Sequence, residues 1–154
     1  MEAIGRIYNQ GIADRIATLD ADPKDQDAMA AWWGQHGDRY AVLVAERHDG
    51  TIAGWASLNP YSHRCAYRGV ADLSIYVERA ARGTGVGSLL LGALQGVARE
   101  RGFHKIVLFT FPFNADGQGL YRKHGFREVG VFREQGTLDG RFVDVMAMEK
   151  LLSV

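Results

Sequence analysis

The sequence predicts an α/β chain built around a mixed sheet, and three observations carry that prediction. Tyr40 to Glu46 (YAVLVAE) and Thr51 to Leu58 (TIAGWASL) flank His48-Asp49-Gly50, an Asp-Gly hairpin signature. A helix pattern from Val86 separates the apolar runs Ala71 to Val77 (ADLSIYV) and Lys105 to Phe111 (KIVLFTF), as a crossover connection does. Phe126 to Arg133 and Arg141 to Met148 then close a second hairpin around Gly140. Hairpins mixed with helical crossovers imply a sheet with both strand senses.

In chain order, Met1 to Ile12 places Ala3, Ile4, Ile7, Tyr8 and Ile12 on one helical face. Asp20 to Lys24 reads as a loop through its acids and Pro23. Gln26 to Gln35 is a second predicted helix, with Met29, Trp32 and Trp33 toward the core. Asn59 to Gly69 is expected to be a polar loop. The helix from Val86 has its apolar stripe at Val86, Leu89, Leu90, Ala93, Leu94 and Val97, with Gly102 as C-cap. KIVLFTF is apolar enough for a strand covered on both faces. Gln118 to His124 is a short helix ended by Gly125.

Composition narrows the function classes. A length of 154 residues fits one domain, 1–154. Eighteen basic residues balance eighteen acidic ones, so neither a nucleic-acid footprint nor a polybasic membrane anchor is expected. Cys65 is the one cysteine, and nothing in the sequence gives it the base and cationic setting of a reactive thiol. No signal segment or membrane-length apolar run is seen, which makes the cytoplasm the expected location. The five histidines lack ligand spacing, and no metal is expected.

The most informative segment is Arg82-Gly83-Thr84-Gly85-Val86-Gly87, between a strand and a helix. The first turn of a helix offers unpaired N–H groups and the positive end of a dipole, which suits a phosphate. Glycines bring the backbone close and allow positive φ. Arg82, with Arg79, adds charge-assisted donors. The spacing fits neither the dinucleotide fingerprint nor the P-loop. A tight turn into a capped helix is the alternative reading of this loop by itself.

SIYV, RGTGVG, an amphipathic helix, KIVLFTF, Asn114 and LYRKHGF together resemble the GNAT acetyltransferase superfamily. IYNQGI, GWASLNPYSHRCAYRG, GFHKIVL, GFREVGVFRE and GRFVDVMAME are similar to its phosphinothricin, methionine sulfoximine and arsinothricin subgroup. The resemblance covers nearly the whole chain. It implies the GNAT fold, a mostly antiparallel mixed sheet flanked by helices. It also implies acetyl-CoA as cosubstrate, a small amine or amino acid as acceptor in detoxification or resistance, and a homodimer. The chain departs from the subgroup in opening almost directly on its first helix, with the usual first strand missing or shortened. It has Asp72 where a catalytic glutamate is usual, Tyr121 where histidine is frequent, and Asp139 where some members carry histidine.

The resemblance assigns roles residue by residue. Arg82, Gly85 and Gly87 match the fixed positions of the pyrophosphate loop, with Gly83, Thr84 and Val86 between them. Ile75 and Val77 would meet pantetheine through their backbones, and Asn114 would bond its arm, unless it serves a local turn. Asp72 would take the ammonium proton, through a water because Asp is shorter than Glu; its alternatives are a strand start or an arginine pair. Tyr121 would protonate the departing thiolate, or else simply pack. Arg64 and Arg68 would grip the acceptor's anionic groups, or lie solvated on a loop. Tyr61, Trp32 and Trp33 would wall the pocket or belong to the core. An acetyltransferase for another amine and a non-catalytic acyl-CoA sensor are the competing functions.

Overall fold

The computed structural model describes residues 1–14 and 22–152. Helix α1 (Glu2–Asp14) and helix α2 (Gln26–Gly34) come first, and no strand precedes α1 among the described residues. The hairpin β1 (Val42–Glu46) and β2 (Ile52–Pro60) follows, then β3 (Val70–Val77), α3 (Val86–Glu100) and β4 (Lys105–Thr110). Helix α4 (Ala115–Lys123), β5 (Arg127–Leu138) and β6 (Arg141–Leu151) complete the fold. The expected loop 20–24 lies partly outside the described residues; Asp22 to Lys24 are not helical.

The six strands form one sheet in the order β1-β2-β3-β4-β6-β5. Its β3–β4 pair is parallel and the other pairs are antiparallel. This is a mixed, mostly antiparallel sheet flanked by helices, as the resemblance implies. The hairpin β5–β6 folds back so that β6 joins β4 and β5 becomes the edge.

Alternation along β2 and β3 sends side chains to two separate cores. Ala56, Leu58, Ala71 and Leu73 pack with Leu90, Leu91 and Leu94 of α3 and Tyr121 of α4. Trp55 packs on the opposite face with Ile4 and Ile7 of α1 and Met29 of α2, and Tyr76 joins them. Helices α1 and α2 therefore cover one face of β2–β3, while α3 and α4 cover the other.

Several expectations are corrected. The buried stripe of α3 is Leu90, Leu91, Leu94, Gln95 and Ala98, whereas Leu89 is 69% exposed and Ala93 is exposed. A leucine run offers two apolar faces, and the sheet selects the one that includes Gln95. That carboxamide is satisfied by Lys150 Nζ from β6, so its burial leaves no orphan acceptor. Trp33 is exposed rather than core, whereas Met29 and Trp32 do face inward. Helix α4 begins at Ala115, earlier than expected, because Asn114 Oδ1 caps it by accepting from Gly117 N–H at 3.1 Å. Strand β2 runs on through Asn59 to Pro60, and β5 continues past Arg133 with register shifts.

Candidate active site

The parallel pairing of β3 with β4 is short. Val70, Ala71 and Asp72 pair with Lys105, Ile106 and Val107, and no further rung follows. Beyond it β3 continues to Val77 and β4 to Thr110 as unpaired neighbours, so the sheet opens like a V. Glu78 N–H reaches Ala53 O at 2.8 Å across β2, which fixes the alternation. By that alternation the backbone groups of Leu73, Ile75 and Val77 turn away from β2 toward β4. The Leu73 amide is engaged by the Asp72 carboxyl and Val77 O by Arg82, so the free amides in the gap are those of Ile75 and Val77. They form an edge that an extended ligand can join as an added strand.

The wide end of the V lies beside the loop into α3. Gly83 (φ 77°) and Gly85 (φ 91°) adopt the left-handed conformation, and a Cβ at either would meet no described atom within 4 Å. Among the described residues, no acceptor binds the backbone N–H groups of Gly83 to Ser88. Six successive free amides at a helix start form a cradle for an anion, and a diphosphate fits it. Thr84 Oγ1 donates to Ala81 O and pins the loop. Arg82 enters already engaged: Nη1 pairs with Asp14 Oδ2 at 2.6 Å, and Nε approaches Val77 O at 3.4 Å. Arg79 meets the other oxygen of Asp14 at 2.9 Å. The two cations offset an acid placed at the unfavourable C-terminal end of α1, and they tie that helix to the loop. Their hydrogen bonds, from Arg79 first and then Arg82, hold the Asp14 carboxyl below its usual range.

Asp72 stands at the apex of the V. Burial raises its carboxyl to about 6, although hydrogen bonds from Asn59 and from the Leu73 amide pull the other way. Asn59 Nδ2 lies 3.1 Å from Asp72 Oδ2 and 2.9 Å from Ser74 Oγ. Register matches Asn59 with Asp72, Ser57 with Ser74 and Trp55 with Tyr76. These pairs all project onto the α1–α2 face. There an aromatic cavity of about 450 Å³ is lined by Tyr8, Met29, Trp32, Trp55, Ser74 and Tyr76, with Lys24 and Gln35 at its polar side.

Tyr121 is buried in the α3–α4 core, edge-on to Phe126. Burial pushes its phenol up to about 12, and its hydroxyl bonds to no described residue. It therefore stays protonated at neutral pH. Asn114 is engaged locally, capping α4 and reaching Thr110 Oγ1 at 3.3 Å through Nδ2. Arg64 and Arg68 do not line the aromatic cavity. They share a second, more open cavity of about 740 Å³ with Arg39 and Arg101. Tyr61 is exposed near Tyr67 and lines neither cavity. Among the described residues, no group of histidine, cysteine or acidic side chains could hold a metal ion.

Two participants were not anticipated. Asn59 reads as the start of a loop, because an Asn-Pro pair ends the apolar pattern. His36 reads as a helix-terminal residue, yet its Nε2 lies 2.9 Å from Asn59 Oδ1. The register of β2 on β3 brings Asn59 to Asp72, and the turn after α2 brings His36 to Asn59.

A family model described as the acetyltransferase (GNAT) family matches residues 9–126. A Bacillus subtilis protein provisionally named phosphinothricin acetyltransferase YwnH is 35% identical over 153 residues, covering 99% of this chain and 94% of that one. The L-methionine sulfoximine/L-methionine sulfone acetyltransferase of Pseudomonas aeruginosa is 33% identical over 144 residues, covering 93% and 84%. Among solved structures, the GNAT superfamily phosphinothricin acetyltransferase of Sinorhizobium meliloti in complex with AcCoA superposes with a TM-score of 0.92 at 29% identity. That match covers 99% of this chain and 83% of the other.

Proposed function

We propose that this chain, which belongs to the GNAT acetyltransferase family and acts as an acetyl-CoA-dependent N-acetyltransferase, acetylates the α-amino group of a small amino acid of the phosphinothricin or methionine sulfoximine type. The observation that carries the reading is the parting of β3 and β4 after Asp72, beside a loop of free amides. In this reading the whole chain works as one domain.

The amides of Gly83 to Gly87 hold the diphosphate of acetyl-CoA, and Arg82 shares its charge between that group and Asp14. The gap-facing amides of Ile75 and Val77 receive the pantetheine and polarise the thioester carbonyl. Asn114 closes the far side of the gap. The acceptor enters from the α1–α2 face, its side chain against Trp32 and Tyr76. Arg64 and Arg68 are the cations offered to its carboxylate, on a loop that leads through Gly69 and Val70 into β3; Tyr61 lies on the same segment.

Asp72, ionised, takes a proton from the ammonium through a water. The freed amine attacks the acetyl carbon, a C–N bond forms and the C–S bond breaks. Tyr121 gives its hydroxyl proton to the departing thiolate, and the second proton shed by the nitrogen as the amide forms passes to solvent, from which the phenol is restored. Holding both reactants in line supplies much of the acceleration. Support for pairing two copies comes from exposed Val129, Val131 and Phe132 on β5 and Phe142 on β6.

The test is a thiol-release screen with acetyl-CoA against common amino acids, phosphinothricin, methionine sulfoximine and arsinothricin. Turnover is expected to be highest with one of the last three. Absence of acetyl-CoA binding by calorimetry would overturn the reading.

A further inference from the structure

The side-chain chain behind Asp72 is complete enough to read its donors and acceptors. Helix α2 ends at Gly34, and His36 folds back so that its Nδ1 lies 2.9 Å from Trp32 O. A carbonyl oxygen only accepts, so Nδ1 carries a proton. The ring packs on Trp32, 4.3 Å between centroids, which restricts its rotation. Its other nitrogen faces the Asn59 carboxamide at 2.9 Å.

That carboxamide has two possible orientations, and its neighbours decide between them. With Oδ1 toward His36, it accepts from Ser57 Oγ at 2.9 Å and from His36 Nε2–H, while Nδ2 donates to Asp72 and Ser74. In this state the carboxylate accepts from the amide's NH2 group. Turned over, the amide gives Nδ2 to an unprotonated Nε2 and shows Oδ1 to Asp72, which suits only a protonated carboxyl. One amide thus links the His36 ring to the Asp72 carboxyl.

We propose that His36 is a positioning residue for Asp72, acting through Asn59. Its ring holds the carboxamide with the NH2 group toward the carboxylate, and so keeps Asp72 ionised and aimed. The proposal rests on Asp72 as the proton acceptor of the reaction. The groups that face Asp72 from the flanking strands, Asn59 on β2 and Val107 on β4, are uncharged. Lys24, on the segment between α1 and α2, is the charged residue lining the adjoining cavity. Among the described residues, neither His36 nor Asp72 forms an ion pair.

The experiment is a carbon-13 titration of aspartate carboxyls, with the Asp72 signal assigned from D72N, in wild type, H36A, H36Q and N59A. Removing the ring frees the amide to turn, and a carboxylate that loses an N–H donor titrates higher; H36A should raise the Asp72 midpoint by about half a unit or more. H36Q retains a neutral donor and should restore most of that shift. The acid limb of kcat/KM should move by the same amount in H36A, with the KM for acetyl-CoA within about twofold. In the N59A background, H36Q should change nothing further. An unmoved midpoint in H36A overturns the proposal; if H36A does not fold, an H36Q effect that persists in N59A does so. Activity of D72N separates the two readings. If D72N stays active while H36A moves the midpoint, Asp72 is not the base but its coupling to His36 stands.

Discussion

Asp72 and Val107 form the last rung that joins β3 to β4, and the carboxylate at that rung sits where the sheet begins to open. Burial raises this carboxyl to about 6. A base must be ionised to act, so kcat/KM should rise with pH through about 6 and level off above it. Asp72→Asn should lower kcat by about 10²–10⁴-fold and remove that limb, measured by thiol release across pH.

Tyr121→Phe removes a proton donor while leaving an aromatic ring in the core. Thiol release should slow by at least about 10²-fold, with acetyl-CoA affinity changed less than about threefold by calorimetry. With its phenol near 12, Tyr121 should contribute no alkaline limb below about pH 10. Equal rates in the two proteins would exclude it as the acid.

Gly85→Ala places a Cβ at φ 91°, in a conformation that costs an L-residue about 1–2 kcal/mol. The added methyl points into open space, so packing is spared. Affinity for acetyl-CoA should fall about tenfold or more, read by calorimetry, while the acceptor's KM changes little.

Trp32 lines the aromatic cavity on the face away from α3. Trp32→Ala should raise the acceptor's KM about tenfold and leave the KM for acetyl-CoA nearly unchanged. Arg64→Ala and Arg68→Ala, assayed in parallel, report whether the more open basic cavity also meets the acceptor; the expected result is a raised acceptor KM in at least one.

Asp14→Asn breaks both ion pairs that fasten α1 to the loop. These are partly exposed contacts, so the loss should be about 1 kcal/mol, or roughly 2–4 °C in Tm. A carboxyl depressed in the folded state stabilises above its unfolded value of about 3.9, and the contribution fades as pH falls through the folded value. The difference between wild type and variant should therefore be full near pH 7 and shrink only as pH falls below about 3.9.

Element types and order were readable because periodicity and turn chemistry are local. Gly83 to Gly87 announced the free-amide loop without tertiary information. The apolar run of β4 announced a strand that is largely buried but leaves Phe109 44% exposed, so it is not covered on both faces throughout. The face of α3 was not readable, since Gln95 interrupts the true stripe and its partner Lys150 lies far along the chain. The same holds for the site. Asp72 and Tyr121 could be picked out through motif resemblance. Asn59 reaches Asp72 by strand register and His36 reaches Asn59 by the turn after α2, and no single segment encodes either. The pairing of Arg82 with Asp14, across 68 positions, was equally invisible.

Placing α1 and α2 on one side of β2–β3 and α3 and α4 on the other makes the sheet a partition with a single slit. In the proposed reading, one reactant is gripped behind the partition and the other is sorted in front of it. On that reading, apolar exchanges among Tyr8, Met29 and Trp32 that keep the α1–α2 core packed should alter which amines are taken while the grip on the donor stays intact.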